Sequence, residues 1–137
     1  AFNMTGTAAI HALSFVLSEE WHVPHGAACA FFADAVYDRN SADPGTRAKL
    51  ASVARRLGCA PESASEAEAA SALGCFLADL RDRFGLPSKF ADIGAVGEDP
   101  ESLASLFDRA LGDFKMRNNV VSFGPGDVRS IVRGKLP

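Results

Sequence analysis

The sequence predicts an all-α domain, and two observations carry that prediction. Alanine supplies 24 of the 137 residues, whereas Val, Ile and Thr together supply only 15. Because alanine is the best helix former and β-branched residues favour strands, this composition argues against a sandwich or a barrel. Apolar residues also recur at intervals of three and four, which is the spacing of one helical face. We therefore expect residues 1–137 to form a single antiparallel bundle of about six helices.

A proline separates the first two predicted helices. The first is expected over about residues 7–20, with Thr5 or Thr7 as its cap. It should end before Pro24, because the residue that precedes a proline is pushed out of helical geometry. The second is expected over about residues 26–37. Ala, Cys and Phe occupy nearly every face of this segment, so we expect it to be buried all round.

Two longer helices are expected beyond a turn cluster at residues 40–45. One covers about residues 46–57, and the other begins near Ser63 or Ser65 and reaches Phe84. Their apolar residues recur at helical spacing and are expected to face inward, as in the seam of a bundle. In the first helix these are Leu50, Val53 and Leu57, and in the second they are Ala70, Leu73, Leu77, Leu80 and Phe84.

Two short helices are expected near the end of the chain, each opened by a proline. Asp99 and Pro100 combine an N-cap residue with proline at the first helical position. Gly124 and Pro125 open the last helix, which should stop near Gly134. The predicted apolar faces are Leu103, Leu106, Phe107, Ala110 and Leu111 in the first of these helices and Val128, Ile131 and Val132 in the second.

Charge and hydropathy exclude two classes of partner. The net charge is −3 and no basic stripe occurs, which argues against nucleic acid. The longest apolar run, at residues 27–33, is far shorter than the ~20 residues that span a bilayer, so no membrane is expected. Cys29, Cys59 and Cys75 are odd in number and widely spaced. Cys29 sits in an Ala/Phe run and Cys75 beside Phe76, as buried thiols would. The pattern indicates a reducing cytoplasm rather than a disulfide framework.

The candidate chemistry is concentrated in residues 11–25, which contain all three histidines of the chain. His11 lies on the first predicted helix and His25 at the start of the second, so a helix, a short loop and an antiparallel helix would bring them together. Two converging imidazoles supply a plausible half of a transition-metal site. His22 lies in the loop and is expected outside the site. The ordinary alternative, a hydrogen-bonded structural role for the histidines, is the more frequent one.

A stripe beside His11 suggests the wall of a substrate pocket. His11, Ser14, Phe15 and Ser18 share one side of the first predicted helix. Phe15 would be the apolar part of this pocket, and Trp21 at the end of the helix is a further candidate. The alternative is a weakly polar surface or interface.

Two stretches around the histidines resemble the metal-binding signature of the iron-containing alcohol dehydrogenases. They are residues 6–14, GTAAIHALS, and the PHG turn at residues 24–26. In that family a helical histidine is followed fourteen residues later by the histidine of a Pro-His-Gly turn, and both bind the metal. Weaker matches continue downstream to the GDV stretch at residues 126–128. The resemblance implies that His11 and His25 are metal ligands.

The same resemblance implies that residues 1–137 are part of the C-terminal all-helical domain of a larger protein. The family's nucleotide-binding domain, and its other two ligands, an Asp and a His on an earlier helix, have no counterpart in this sequence. The intact protein would interconvert a small aldehyde or ketone and its alcohol with NAD or NADP, using Fe²⁺ or Zn²⁺ to polarise the carbonyl. It could assemble as a homo-oligomer. The chain by itself is expected to be inactive.

One departure from the family keeps other functions open. Many members have a second histidine four residues after the first, where this sequence has Phe15, and a phenyl ring cannot relay protons. The departure suggests a divergent subgroup and leaves its substrate open. A catalytically dead relative is one alternative function. A standalone helical binding or interaction module, in which His11 and His25 are structural, is the other.

Overall fold

A computed structural model describes residues 6–137, and every regular element in that range is helical. The all-α prediction is confirmed, with no strand among the described residues. None of the helices in this range has the length and apolarity needed to cross a membrane. The α-helices are α1 (Ala9–Trp21), α2 (His25–Ser41), α3 (Pro44–Arg56), α4 (Glu66–Arg83), α5 (Pro100–Phe107) and α6 (Pro125–Gly134).

Three short 3-10 helices, which the sequence analysis did not predict, complete the fold: Phe90–Ile93, Asp108–Gly112 and Phe114–Asn118. The second of them continues directly from α5, so Ala110 and Leu111 lie beyond the α-helix to which they were assigned. Because 3-10 segments are short and lack a 3.6-residue pattern, apolar periodicity does not reveal them.

The positions of capping side chains predict where helices begin better than the presence of turn-forming residues does. The N-cap of α1 is Ala8, which makes no side-chain cap, so Thr7 is not the cap; Thr5 lies outside the described residues. The predicted turn at residues 40–45 is mostly helical. The Asp43 carboxylate accepts a hydrogen bond from the Thr46 amide at 2.7 Å, which allows α3 to begin at Pro44.

The core is an aromatic cluster that joins distant parts of the chain. Phe31 and Phe32 of α2 meet at 4.9 Å between ring centroids, and both are fully buried. Phe90 lies 5.2 Å from Phe31, and Phe107 lies 5.4 Å from Phe32. Trp21, the last residue of α1, stacks on Phe107 at 6.2 Å. Edge-to-face and offset rings at these distances add to the stabilisation from apolar burial.

The prediction that α2 is buried on every side is wrong. Its fully covered residues are Ala28, Phe31, Phe32 and Val36, which lie on one side of the helix. The other side chains between residues 27 and 37, Asp34 among them, are partly buried, and Asp38 beyond them is exposed. The helix is therefore fully covered on one side only.

The predicted leucine seam between α3 and α4 is also wrong in part. Small residues form the buried contact between these helices: Ala51 and Ala54 face Ala69, with Leu73 beside them. Leu57 is 60% exposed and Phe84 is 72% exposed, and Val53, Leu77 and Leu80 are exposed as well. Because alanine side chains are small, two helix backbones can approach closely where alanines face each other. The alanine side of each helix is therefore the buried side.

A buried ion pair joins the C-terminal segment to the middle of the bundle. Lys135 is only 6% exposed, and its ammonium contacts both carboxylate oxygens of Asp34, at 2.6 and 2.8 Å. Arg81 of α4 contacts the same carboxylate at 2.6 Å. Although burial alone would raise it, the pKa of the Asp34 carboxyl is held below its ordinary value by these two cations. Asp34 thus stays charged and ties three segments together.

We predict that Phe107→Ala lowers the free energy of unfolding by about 3–5 kcal/mol, because the substitution leaves a cavity between three aromatic rings, those of Trp21, Phe32 and Phe90. Chemical denaturation followed by far-UV circular dichroism measures the change. Phe84→Ala is the matched control, since the Phe84 ring is mostly exposed, and should change stability by less than about 0.5 kcal/mol. Equal losses in both variants would contradict the assignment of the core.

Candidate metal centre

The structure brings His11 and His25 together. His11 lies in the first turn of α1, and His25 is the first residue of α2, directly after Pro24. Their ring centroids are 5.2 Å apart, with the ring planes inclined at 51°. This ring contact brings the first turn of α2 next to the first turn of α1. The three residues 22–24, which connect the two helices, therefore return the chain toward the beginning of α1.

His22 is not part of this cluster. It follows the last residue of α1 in the left-handed conformation, with φ 54° and ψ 27°, and its side chain is exposed. Left-handed backbone is unusual for a residue other than glycine, and here it reverses the chain at the end of the helix. His22 therefore contributes to the turn that positions His25, and the two clustered histidines come from residues 11 and 25.

Cys29 lies beside the two histidines, although its apolar surroundings in the sequence indicated only a buried thiol. Its Sγ lies 3.6 Å from Nε2 and 4.0 Å from Nδ1 of His25. Ligand atoms from His11, His25 and Cys29 all lie within 4.8 Å of one another. Cys29 is half-buried, whereas it was predicted to be a buried structural thiol. Its position four residues after His25, one helical turn along α2, was the signal available in the sequence.

Ser14 supports the cluster from behind. It is fully buried, its hydroxyl donates to the carbonyl oxygen of His11 at 3.1 Å, and its Oγ lies 3.5 Å from the Cys29 thiol that donates to it. The prediction that Ser14 faces a pocket is therefore corrected. Its small hydroxyl fits between α1 and α2, where a larger side chain would separate the helices.

A cavity of about 500 Å³ opens over the histidines. Phe15, 37% exposed, stacks against His25 with 5.5 Å between ring centroids. The Lys115 ammonium lies 4.5 Å from the centroid of the Phe15 ring and 4.6 Å from that of Phe114. The cavity wall is thus aromatic with one cation. Its lining residues are Gly6, Thr7, His11, Phe15, His25, Phe114 and Lys115.

Ser18 and Trp21, two further residues predicted to line the pocket, do not line this cavity. Trp21 lies ten residues after His11, about 15 Å further along the helix. Its ring packs against Phe90 and Phe107 in the core instead. A residue on the same side of α1 as His11 does not necessarily line the cavity, because the cavity covers only the first turns of the helix.

Asparagine side chains hold Lys115 at this position. Lys115 belongs to the Phe114–Asn118 turn, which the sequence analysis did not single out. Asn118 donates from its side chain to the Thr7 carbonyl at 3.0 Å, beside the start of α1. Asn119 donates to the side-chain oxygen of Asn40 in α2 at 2.6 Å. These long-range bonds fix the turn against both helices that carry the histidines.

The charges around His11 favour its neutral form. Partial burial lowers the pKa of His11, and the neighbouring His25 and Lys115 lower it further. Lys115 itself is paired with the carboxylate of Asp113 at 2.9 Å. A neutral imidazole has a free lone pair and is the form that binds a metal ion. His11 is thus prepared for coordination over a wider range of pH than an ordinary histidine.

Comparison with known proteins identifies the family to which the chain belongs. The model of the Fe-containing alcohol dehydrogenase family, C-terminal, matches residues 1–136. The chain belongs to this family, as the signature around His11 and His25 predicted.

Two curated relatives are dehydrogenases. The 1-propanol dehydrogenase PduQ of Citrobacter freundii is 31% identical over 121 residues, which are 87% of this chain and 32% of the relative. Alcohol dehydrogenase 4 of Saccharomyces cerevisiae is 28% identical over 133 residues, 97% of this chain and 32% of the relative. The chain therefore spans about a third of the length of these proteins.

Solved structures share the fold. An alcohol dehydrogenase from Oenococcus oeni superimposes with a TM-score of 0.81 at 26% identity, over 98% of this chain and 34% of the other. A 1,3-propanediol oxidoreductase gives a TM-score of 0.81 at 22% identity, over 93% of this chain and 32% of the other.

We predict that the His11 imidazole of the metal-free protein titrates below its ordinary pKa of about 6.5. His25→Gln should raise the pKa of His11, because it removes a positive charge that forms beside it, although burial keeps the pKa below the ordinary value. The ring resonances followed by NMR against pH measure both effects. His22→Gln is the control and should leave the titration unchanged, whereas an unchanged midpoint in His25→Gln would contradict the proximity of the rings.

Proposed function

We propose that this chain supplies two metal ligands and part of the substrate pocket of an NAD(P)-linked alcohol dehydrogenase or aldehyde reductase. The observation that carries the proposal is the pair of facing imidazoles, His11 and His25, at the base of an aromatic cavity. The relatives named above support the reaction type. We infer a complete enzyme longer than this chain, because the chain spans about a third of the length of these relatives.

The donor set fits a divalent transition ion. Imidazole nitrogen suits Fe²⁺ and Zn²⁺ well, whereas Mg²⁺ and Ca²⁺ prefer oxygen ligands. His11 and His25 would hold the ion with their neutral rings. Once bound, the ion would polarise the carbonyl oxygen of an aldehyde or stabilise the oxygen of an alcohol. Family membership implies the metal, and these two side chains are the ones in this chain that we assign to it.

The remaining residues of the cavity shape the space for a small substrate. Phe15 and Phe114 give the cavity an apolar wall, which would exclude water from the reacting carbon once its open side is covered. The Lys115 cation lies over both rings and is compensated by Asp113, so the cavity gains a polar donor without an isolated buried charge. We infer that Lys115 orients the polar end of the substrate.

We assign NAD or NADP to a nucleotide-binding domain of the same protein outside this chain. Dinucleotides are held by a glycine-rich turn between a strand and a helix, and residues 6–137 contain no strand. The small aldehyde or alcohol would then bind between that domain and the open side of the cavity. Covering this side would complete the aromatic wall.

We predict that His25→Ala removes bound metal from the complete enzyme and lowers NAD(P)H-dependent reduction of propanal by more than about a hundredfold, because an inner ligand is lost. His22→Ala should retain both metal and activity, since His22 lies outside the cluster. Elemental analysis after anaerobic addition of Fe²⁺ or Zn²⁺ measures the metal, and NADH or NADPH oxidation measures turnover.

The same variants separate the proposal from its alternatives. If His11 and His25 are only structural, His25→Ala should leave both the metal content and the turnover at the level of His22→Ala. A catalytically dead relative would bind the metal through His25 but reduce no aldehyde in any variant. Either result would overturn the proposed function.

A further inference from the structure

We propose that the α3–α4 pair forms a two-fold interface with a second copy of this chain. In this interface, α3 of each copy packs against α4 of the other. The inference does not depend on the candidate metal centre. It rests on where the exposed apolar side chains lie and on the charges that the two helices carry.

Exposed apolar side chains are concentrated on α3 and α4. Six of the ten large apolar side chains that are exposed among residues 6–137 lie within residues 53–84, and they are Val53, Leu57, Phe76, Leu77, Leu80 and Phe84. Cys75, which was expected to be buried beside Phe76, is exposed as well. Residues four apart lie on the same side of a helix, so Phe76, Leu80 and Phe84 form one row on α4. Exposed apolar surface of this extent is typical of a site of contact with another protein.

The contacts within the bundle leave this surface uncovered. Small residues, Ala51, Ala54 and Ala69, form the buried contact between α3 and α4. On the side of α2, the Tyr37 hydroxyl donates to the carbonyl oxygen of Ala70 at 2.6 Å. These contacts account for the inner sides of the pair, whereas its larger apolar side chains remain on the outside.

The two helices carry opposite charges. Four basic residues and no acidic residue lie in α3, namely Arg47, Lys49, Arg55 and Arg56. Four acidic and two basic residues lie in α4. None of the ion pairs formed among residues 6–137 includes a residue of α3 or the acidic residues Glu66, Glu68 and Asp79 of α4. The basic face of α3 is therefore available to an acidic surface outside the chain.

A second copy of the chain provides that acidic surface. A two-fold axis repeats the same contact twice, so each basic α3 meets an acidic α4 and both apolar rows are covered together. Packing α3 against α3 would instead bring like charges together. An unrelated acidic protein would satisfy α3 but would leave the acidic and apolar face of α4 without a complement. The charges thus favour self-association in this one orientation.

The position and the size of the surface suit a weak dimer. Tyr37, where α2 meets α4, lies twelve residues beyond His25, or about 18 Å along the helix. The open side of the cavity therefore stays accessible in the dimer. With a rise of about 1.5 Å per residue and a helix diameter of about 10 Å, two such faces bury roughly 1,000 Å² in total. This area is near the lower limit for a specific interface, so we expect dissociation in the micromolar range.

Sedimentation velocity of the full 137-residue chain tests the proposal at concentrations between about 1 and 200 µM, which bracket that range. We expect a reversible equilibrium between monomer and dimer. Leu80→Asp should weaken the dimer by more than about a hundredfold, because it places an unpaired carboxylate in the interface. Val96→Asp is the matched control and should keep the wild-type dissociation constant, since Val96 is 73% exposed but lies outside α3 and α4.

Reversal of the charges tests the orientation. Lys49→Glu combined with Arg56→Glu should weaken the dimer by more than about tenfold and remove its sensitivity to salt, because acidic residues then face acidic residues. Adding Glu66→Lys and Asp79→Lys to the same chain should restore most of the affinity, since the two helices have then exchanged sign. Damage to the fold would not be rescued by two further substitutions.

Two results would overturn the inference. One is a monomer at every concentration. The other is association that survives Leu80→Asp but is lost in Phe114→Asp, because the contact would then lie at the cavity. Far-UV circular dichroism establishes that each variant is helical, and Phe84→Asp provides a second variant at a side chain that is 72% exposed and should weaken the dimer likewise.

Discussion

The packing of α1 against α2 is the interaction on which the rest of the structure depends. Leu13 and Leu17 of α1 and Phe31 and Phe32 of α2 are all fully buried in one core. Burial of side chains of this size contributes roughly 1.5–3 kcal/mol each before the entropy of ordering is subtracted. Because these contacts fix the two helices side by side, the polar residues at their first turns meet as well. The candidate metal centre is therefore a consequence of core packing.

Around this pair, the later elements act as supports. Phe90, on a short 3-10 helix, and Phe107, at the end of α5, extend the aromatic core by packing against the phenylalanines of α2. The Lys135 ammonium ties the C-terminal segment to Asp34 in α2. A buried ion pair is costly to break because removing one partner strands the other charge.

The candidate site is tightly packed on the side of the core and open on the side of the cavity. Ser14 is fully buried beneath the histidines, whereas Phe15 and His25 face the cavity. A buried support keeps donor atoms in place, and an open upper side admits an ion and a substrate. The Lys115 ammonium lies over two rings of the exposed aromatic wall and interacts favourably with their faces. The geometry thus suits a site completed by a further domain, as proposed above.

The sequence by itself determined the helical class and the family, because alanine content, apolar period and the His11–His25 signature are all local patterns. It also located the starts of α4 and α5, since Ser65 and Asp99 cap them through their own side chains. Only the tertiary structure decided which faces are buried. Leu57 and Phe84 were expected inside on hydrophobicity, but alanine faces let α3 and α4 approach more closely. Apolar periodicity identifies one face of a helix, but it does not show which other helix packs against that face.

The same distinction holds at the site. His11 and His25 could be found from spacing, but Cys29 and Lys115 required the three-dimensional arrangement. Cys29 lies among alanines and phenylalanines, so its surroundings in the sequence indicated burial. Lys115 is 104 residues away from His11, and bonds made by Asn118 and Asn119 bring its turn to the cavity. Contacts between residues so far apart depend on how all the intervening helices pack, which no local pattern records.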